Sequence, residues 1–213
     1  NSTDLRSAIQ WRKMFDSAYG AFYFPWIAVH DHGRRVVLPP SGHVAGVLAR
    51  VDRERGVFHP PANEVLEGTV DLERILQESE LGELNREGIN CLKSFPTRGI
   101  RVWGARTASS DPMQRYLNVR REISAIIKTL SRDLQWVVFE PNNEGLWKRV
   151  AMDIQFFLVD LWRQGWFRGS TPEDAFYVKC DDENNPPEAR DAGTLIVDVG
   201  VSPVRPAEFI TFS

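Results

Sequence analysis

Cysteine is almost missing from this chain: Cys91 and Cys180 are the two in 213 residues. Both sit in apolar, strand-like surroundings, and so sparse a pair reads as buried thiols rather than a disulfide framework. Four-cysteine metal spacing is absent. Long apolar runs are also missing. None approaches the roughly 18–20 residues needed to cross a bilayer. The start, Asn1 to Gln10, has neither the basic nor the apolar stretch of a signal peptide. Positive charge is not in excess. With 26 Lys and Arg against 29 Asp and Glu the net charge is −3, which argues against a general nucleic-acid binder. Neither phosphate-cradling glycine pattern occurs, and there is no G-x-S-x-G nucleophile elbow. No cofactor is implied by any motif, and no internal repeat or low-complexity tract is visible.

What is present is ordinary material for a folded domain, 42% hydrophobic with seven Trp and twelve Phe. Apolar spacings of three and four predict helices over Ser2–Tyr19, Ser41–Gly56, Val119–Leu134 and Glu144–Gln164. Ser41 and Asn118 are the expected caps of the second and third. A short acidic helix is expected over Asp71–Gly82, carrying Leu72, Ile75 and Leu76. Strands are expected at Ala21–His30, with a bulge or edge at Pro25, and at Gln135–Glu140, Phe176–Cys180 and Thr194–Val201. Ile89–Ser94 and Gly99–Arg106 read as a hairpin turned at Phe95–Gly99. The mixture predicts an α/β or α+β fold: one domain over residues 1–202, with a mixed central sheet, helices packed on it, and a C-terminal arm over 203–213.

Catalytic constellations are scarce. His30-Asp31-His32 places two imidazoles on one side of a strand, a possible metal pair, but it adjoins a glycine turn and lacks a third ligand. Ser41 and His43 are two apart on a helix and do not face one another. The carboxylates of Glu64–Glu87 lack apolar neighbours to raise their pKa values. The tryptophans read mainly as core, with Trp147 and Trp166, beside Lys148, Arg149 and Arg168, open to either core or interface use.

Charge is unevenly distributed. Residues 64–87 hold eight acids and two bases, 93–121 hold seven bases and one acid, and 181–191 hold five acids and one base. Solvated surface is the plain reading; the sharper one is that opposite patches meet head to tail between copies of the chain, through Glu64, Glu67, Asp71 and Glu73 against Arg115, Arg120 and Arg121. The C-terminus carries a second association signal. After Pro203 and Pro206 interrupt pairing, Glu208-Phe209-Ile210-Thr211-Phe212 has high strand propensity, with Ile210 and Phe212 on one face and Phe209 on the other. The residues alone leave two fates open: pairing with the chain's own sheet, or donation to a sheet in another subunit.

Many ordered blocks resemble one known family. They include Trp11-Arg12-Lys13, Tyr23-Phe24-Pro25-Trp26, Pro39-Pro40-Ser41-Gly42-His43, Gly99-Ile100-Arg101-Val102-Trp103-Gly104-Ala105-Arg106-Thr107, Phe139-Glu140-Pro141-Asn142 and Pro203-Val204-Arg205-Pro206-Ala207-Glu208-Phe209. Together they are similar to the C-terminal region of contractile tail sheath proteins, found in contractile-tailed phages, phage-tail-like bacteriocins and related injection particles. The resemblance implies a structural subunit, not an enzyme. It would polymerise helically around an inner tube and contract to drive that tube through a target envelope. It implies strand exchange between neighbours, and so favours the donated fate of Glu208–Phe212. Implied partners are other sheath subunits, the inner tube, the baseplate and terminator proteins, with no nucleic acid and no membrane. Assembly would occur in the bacterial cytoplasm, before the subunit becomes part of a tail or released particle. Lys148 and Arg149, at the basic end of the long helix, are candidate tube contacts. Family members carry an N-terminal arm and outer domains ahead of the matched region. Alternatives are a sheath-like baseplate or adaptor module, and a metal enzyme using His30 and His32.

Overall fold

The computed structural model describes residues 4–208, which divide into two compact units: 4–121 with 205–208, and 122–204. The α/β class holds. In place of one central sheet the described residues form three small ones, and among these only one is mixed. Among the described residues no helix is long and apolar enough to cross a membrane.

The first unit opens with α1 (Leu5–Lys13), shorter than the expected Ser2–Tyr19. Its inward stripe is Leu5, Ala8 and Ile9, at helical spacing, with Ala8 buried and the other two half-buried, while Trp11 and Phe15 are exposed. The aromatic run that follows is two strands, not one. Pro25 has no amide to donate, so the ladder breaks there. β1 (Phe22–Phe24) and β2 (Ile27–Asp31) then enter different sheets, across a cis Phe24–Pro25 bond. β3 (Arg34–Leu38) returns antiparallel on β2, with Ile27 opposite Leu38. α2 (Ser41–Arg55) buries Val44, Val47 and Val51 on one face and ends at Gly56, whose φ of +92° an L side chain disfavours. The cap is Pro40; Ser41 is the first helical residue.

The expected helix at Asp71–Gly82 is displaced. β4 (Thr69–Leu72) pairs with β2, setting Leu72 opposite Ile27, and α3 (Glu78–Arg86) starts only after it. A capping box fixes that start: the Glu80 carboxylate accepts from the Gln77 amide at 2.9 Å. β5 (Ile89–Phe95) and β6 (Gly99–Trp103) form the expected hairpin, and β1 joins β5 in parallel. Ile27, Val47, Leu72, Leu92 and Val102 share one core; Phe24, Leu81, Leu84 and Cys91 share a second.

α4 (Leu117–Asp133) crosses the boundary between the units. Asn118 is not its cap. It is buried within the helix and donates to the Phe58 carbonyl at 3.0 Å. In the second unit the expected strand Gln135–Glu140 is a 3-10 turn over Gln135–Val137, held where the Gln135 side chain donates to the Ser131 carbonyl. Val138 and Phe139 beyond it are exposed. α5 (Glu144–Arg163) begins as expected, with the Asn143 side chain accepting from the Leu146 amide. Its stripe Leu146, Val150, Ile154, Leu158 and Leu161 forms the unit's core with Trp147. Trp147 is thus a core residue, its indole donating to Asn142. A short α6 (Pro172–Ala175) leads into β7 (Phe176–Lys179), then α7 (Pro187–Asp191) and β8 (Asp198–Val201), which pairs antiparallel with β7.

Candidate assembly interface

The distinctive run from Gly99 to Thr107 gains a physical reason. Beyond β6 the chain crosses the buried side chain of Asn90. This Asn90 donates to the Arg106 carbonyl at 2.8 Å and accepts from the Arg106 amide at 2.7 Å, imitating a neighbouring strand. Gly104 must pass directly over it: a Cβ there would stand 2.8 Å from Asn90 Oδ1 and 3.0 Å from its Cα. Gly104→Val is therefore expected to cost about 1–3 kcal/mol by overpacking, read as a lower midpoint in chemical denaturation. Thr107 Oγ1 donates to the Gln114 carbonyl at 2.6 Å.

Arg106, so positioned, grips the root of the C-terminal segment. Its Nε donates to Glu208 Oε1 at 2.9 Å and its Nη2 to Oε2 at 2.5 Å, while Nη1 donates to the Asn85 carbonyl at 2.9 Å. Both side chains are largely buried. The bidentate fork holds the guanidinium pKa above its ordinary value, the Glu208 hydrogen bond being the main cause and burial opposing it. Upstream, the Arg168 amide donates to the Ser202 carbonyl at 2.8 Å, and that of Val204 to Trp166 at 3.2 Å. Of the expected strand arm, Glu208 is thus fixed on its own chain. Phe209, Ile210, Thr211 and Phe212 lie outside the described residues.

In the second unit β7 and β8 form a sheet of two strands. Val197, Val199 and Val201, two apart and so on one face, line an apolar groove of about 400 Å³ with Ile126 and Leu130 of α4 and Ile154 of α5.

The charged residues singled out by sequence are partly spent within the chain. Glu64 pairs with Arg55 at 2.7 Å and Arg50 at 3.7 Å, Glu67 with Arg50 at 2.9 Å, and Asp71 with Arg35 at 3.2 Å. Arg121 forks onto Asp52 at 2.9 and 2.5 Å. Arg120 stacks 4.8 Å from the Tyr19 ring centre. Arg115 is exposed, and Glu73 is half-buried with its amide on the Trp26 carbonyl. Lys93 pairs with Glu78, joining the acidic block to the basic one. Lys148 pairs with Glu144 at 3.7 Å, and Arg149 lies over Trp136 within reach of Glu140.

His30 faces Arg35 across the ladder, and the exposed His32 contacts Asp31 at 2.7 Å. Among the described residues no group of three or more His, Cys, Asp or Glu has metal-binding proximity. Cys91 and Cys180 are free thiols; Cys91 is buried, and burial pushes its pKa up to about 12, so it stays protonated at neutral pH. Sequence reading missed Arg12 and Arg86, which flank Arg106 in one cleft, and the buried Asn185.

The profile of the phage tail sheath central domain matches residues 1–108, and that of the phage tail sheath C-terminal domain matches 109–213. The tail sheath protein of Burkholderia phage BcepMu is 29% identical over 200 residues, 89% of this chain; the chain spans 41% of that relative's length. The sheath complex of the extracellular contractile injection system PVC, in its contracted state, superposes over the whole chain with a TM-score of 0.91 and 35% identity, covering 60% of the solved chain. The baseplate of the anti-feeding prophage AFP contains a chain that matches 93% of this one at a TM-score of 0.88 and 39% identity, over 55% of its own length. With both sheath domains matched end to end, the chain belongs to the phage tail sheath family.

Proposed function

We propose that this chain is the assembly-forming part of a contractile sheath subunit that polymerises helically around an inner tube. Contraction of the lattice drives the tube through a target envelope. The observation that carries the reading is the likeness to the contracted PVC sheath along the full chain. Its partners are other sheath subunits, the tube, the baseplate and terminator proteins. It is assembled in the bacterial cytoplasm and belongs to a tail or tail-like particle. Its work is mechanical and requires two packings of one subunit, the contracted one lower in free energy.

Links between subunits must survive that change, and donated strands serve this purpose. In this reading Glu208 anchors the arm's root on Arg106. Phe209–Phe212 add to the β7–β8 sheet of a neighbour, setting Ile210 and Phe212 beside Val197, Val199 and Val201. Glu64, Glu67, Asp71 and Glu73, with Arg115, Arg120 and Arg121, serve as contacts that re-register as subunits slide. Lys148 and Arg149 face the tube. The AFP likeness favours a second reading, a baseplate module that closes into a ring. Negative-stain microscopy of particles containing the parent protein separates the two: long tubes that shorten on triggering are expected, and closed rings alone would replace the sheath reading.

A further inference from the structure

At the C-terminal end of α3 lies an open cleft of about 690 Å³, within the first unit and lined by four arginines: Arg12, Arg86, Arg106 and Arg115. Glu87 on its lining is drawn toward Lys13 at 3.8 Å, and the Asp16 carboxylate beside it lies within electrostatic reach of Arg12. Arg106 is taken by Glu208. Arg12 donates through Nη1 to the Phe15 carbonyl at 2.6 Å, yet its Nε is buried without a hydrogen-bond partner. The cleft makes room for that guanidinium at Gly88, where a Cβ would press within 3.3 Å of Arg12 Nε and Nη2. Arg86 and Arg115 are exposed, with no ion pair among the described residues. Ser110 on the lining is engaged by Asp16, its amide donating at 2.9 Å. The cleft is therefore a guanidinium cluster holding one carboxylate and with capacity for more.

The chain carries a matching surface. Of its acidic stretches, 64–87 is largely paired internally, through Glu64, Glu67, Asp71, Glu78 and Glu80. The stretch 181–191 differs. Glu183 pairs with Lys179, but Asp182, Glu188 and Asp191 are exposed and make no ion pair among the described residues. Glu188 and Asp191 stand three apart on α7, on one helical face. The loop is also preformed. Asn185, fully buried, donates to the carbonyls of Asp181 at 3.1 Å and Ile196 at 2.9 Å and accepts from the Ile196 amide at 2.7 Å. Little ordering entropy remains to be lost on docking.

We propose that the arginine cleft is a carboxylate receptor that takes the 181–191 loop of a second copy of this chain, and this rests on the assembly reading above. Cleft and loop are different surfaces, so the contact is head to tail and propagates along a lattice instead of closing on a pair.

The test uses the full-length protein in cells that make particles. Arg86→Glu with Arg115→Glu is expected to leave the melting temperature near that of the parent and to cut sheath yield by about tenfold or more, through like-charge contact with the loop. Asp182→Lys with Glu188→Lys and Asp191→Lys is expected to do the same, and the two sets combined to restore sheaths. An Arg86→Gln, Arg115→Gln pair gives a milder version should the reversal misfold. Parent-level assembly by either folded charge-reversed variant, or no rescue by the combination, overturns the proposal. So does a cleft whose melting rises with added citrate while sheath yield ignores the reversals, which is a small-anion site only. Failure of the parent itself to form tubes counts against the assembly reading instead; in that case sedimentation of the parent and charge-swapped proteins at low salt decides the cleft, with mixed association expected and its absence overturning it.

Discussion

Replacing Glu122 by Gln is expected to raise thermal stability at neutral pH and to flatten its dependence on pH. Glu122 is fully buried on α4, and neither carboxylate oxygen has a hydrogen-bond partner. Burial pushes its pKa from 4.5 up to about 8. The folded chain therefore keeps a proton that the unfolded chain releases once the pH passes 4.5. Between that point and about 8 the unfolded state binds fewer protons than the folded one, so stability falls as pH rises. At 1.36 kcal/mol for each pKa unit, the loss near neutrality is roughly 3 kcal/mol. Above about 8 the folded carboxyl ionises as well and the loss levels off. Gln keeps the shape without the proton. Its midpoint should exceed the parent's by several degrees at about pH 7 and match it at about pH 4. A parent melting temperature that is flat across this window would refute the buried-carboxyl account.

Removing residues 209–213 while keeping Glu208 should leave a folded protein that forms no sheath. Keeping Glu208 matters, because its loss would strand the Arg106 guanidinium in a largely buried site and confuse assembly with stability. The removed residues would contribute roughly 1.5–3 kcal/mol for each of Phe209, Ile210 and Phe212 buried against a neighbour, and about 1 kcal/mol for each net backbone hydrogen bond. A change of that size in every link of a lattice abolishes it. The measurement is circular dichroism for folding and electron microscopy for tubes; normal sheaths from the folded, shortened chain would exclude strand donation.

The sequence was most readable where one local rule decided the outcome. α2 and α5 followed from apolar spacing with Gly56 and Asn143 at their ends, and the β5–β6 hairpin from its turn. Reading failed where distant partners decided. Thr69–Leu72 is a strand because β2 offers it an edge, and α3 starts late because Gln77, an unusual cap, closes a box with Glu80. Charge counting gave the signs of the patches but not their partners: Arg121 meets Asp52, 69 residues away. Glu122 was a missed signal of another kind. It stands three residues after Val119 and four before Ile126, both buried, so the same spacing that marks the apolar stripe includes it. Asn185 left no comparable trace, because an amide inside an acidic stretch looks like solvated loop.

Two seams near α4 fail to coincide. The boundary between the two sheath-domain profiles falls at 108/109, whereas the compact units divide between Arg121 and Glu122. The intervening stretch serves the first unit, through Ser110 on Asp16, Asn118 on Phe58 and Arg121 on Asp52. Cutting at the evolutionary seam strips those clasps away; cutting at the physical one severs a helix in mid-course. Neither scission yields two intact halves, so no single cut liberates both units whole.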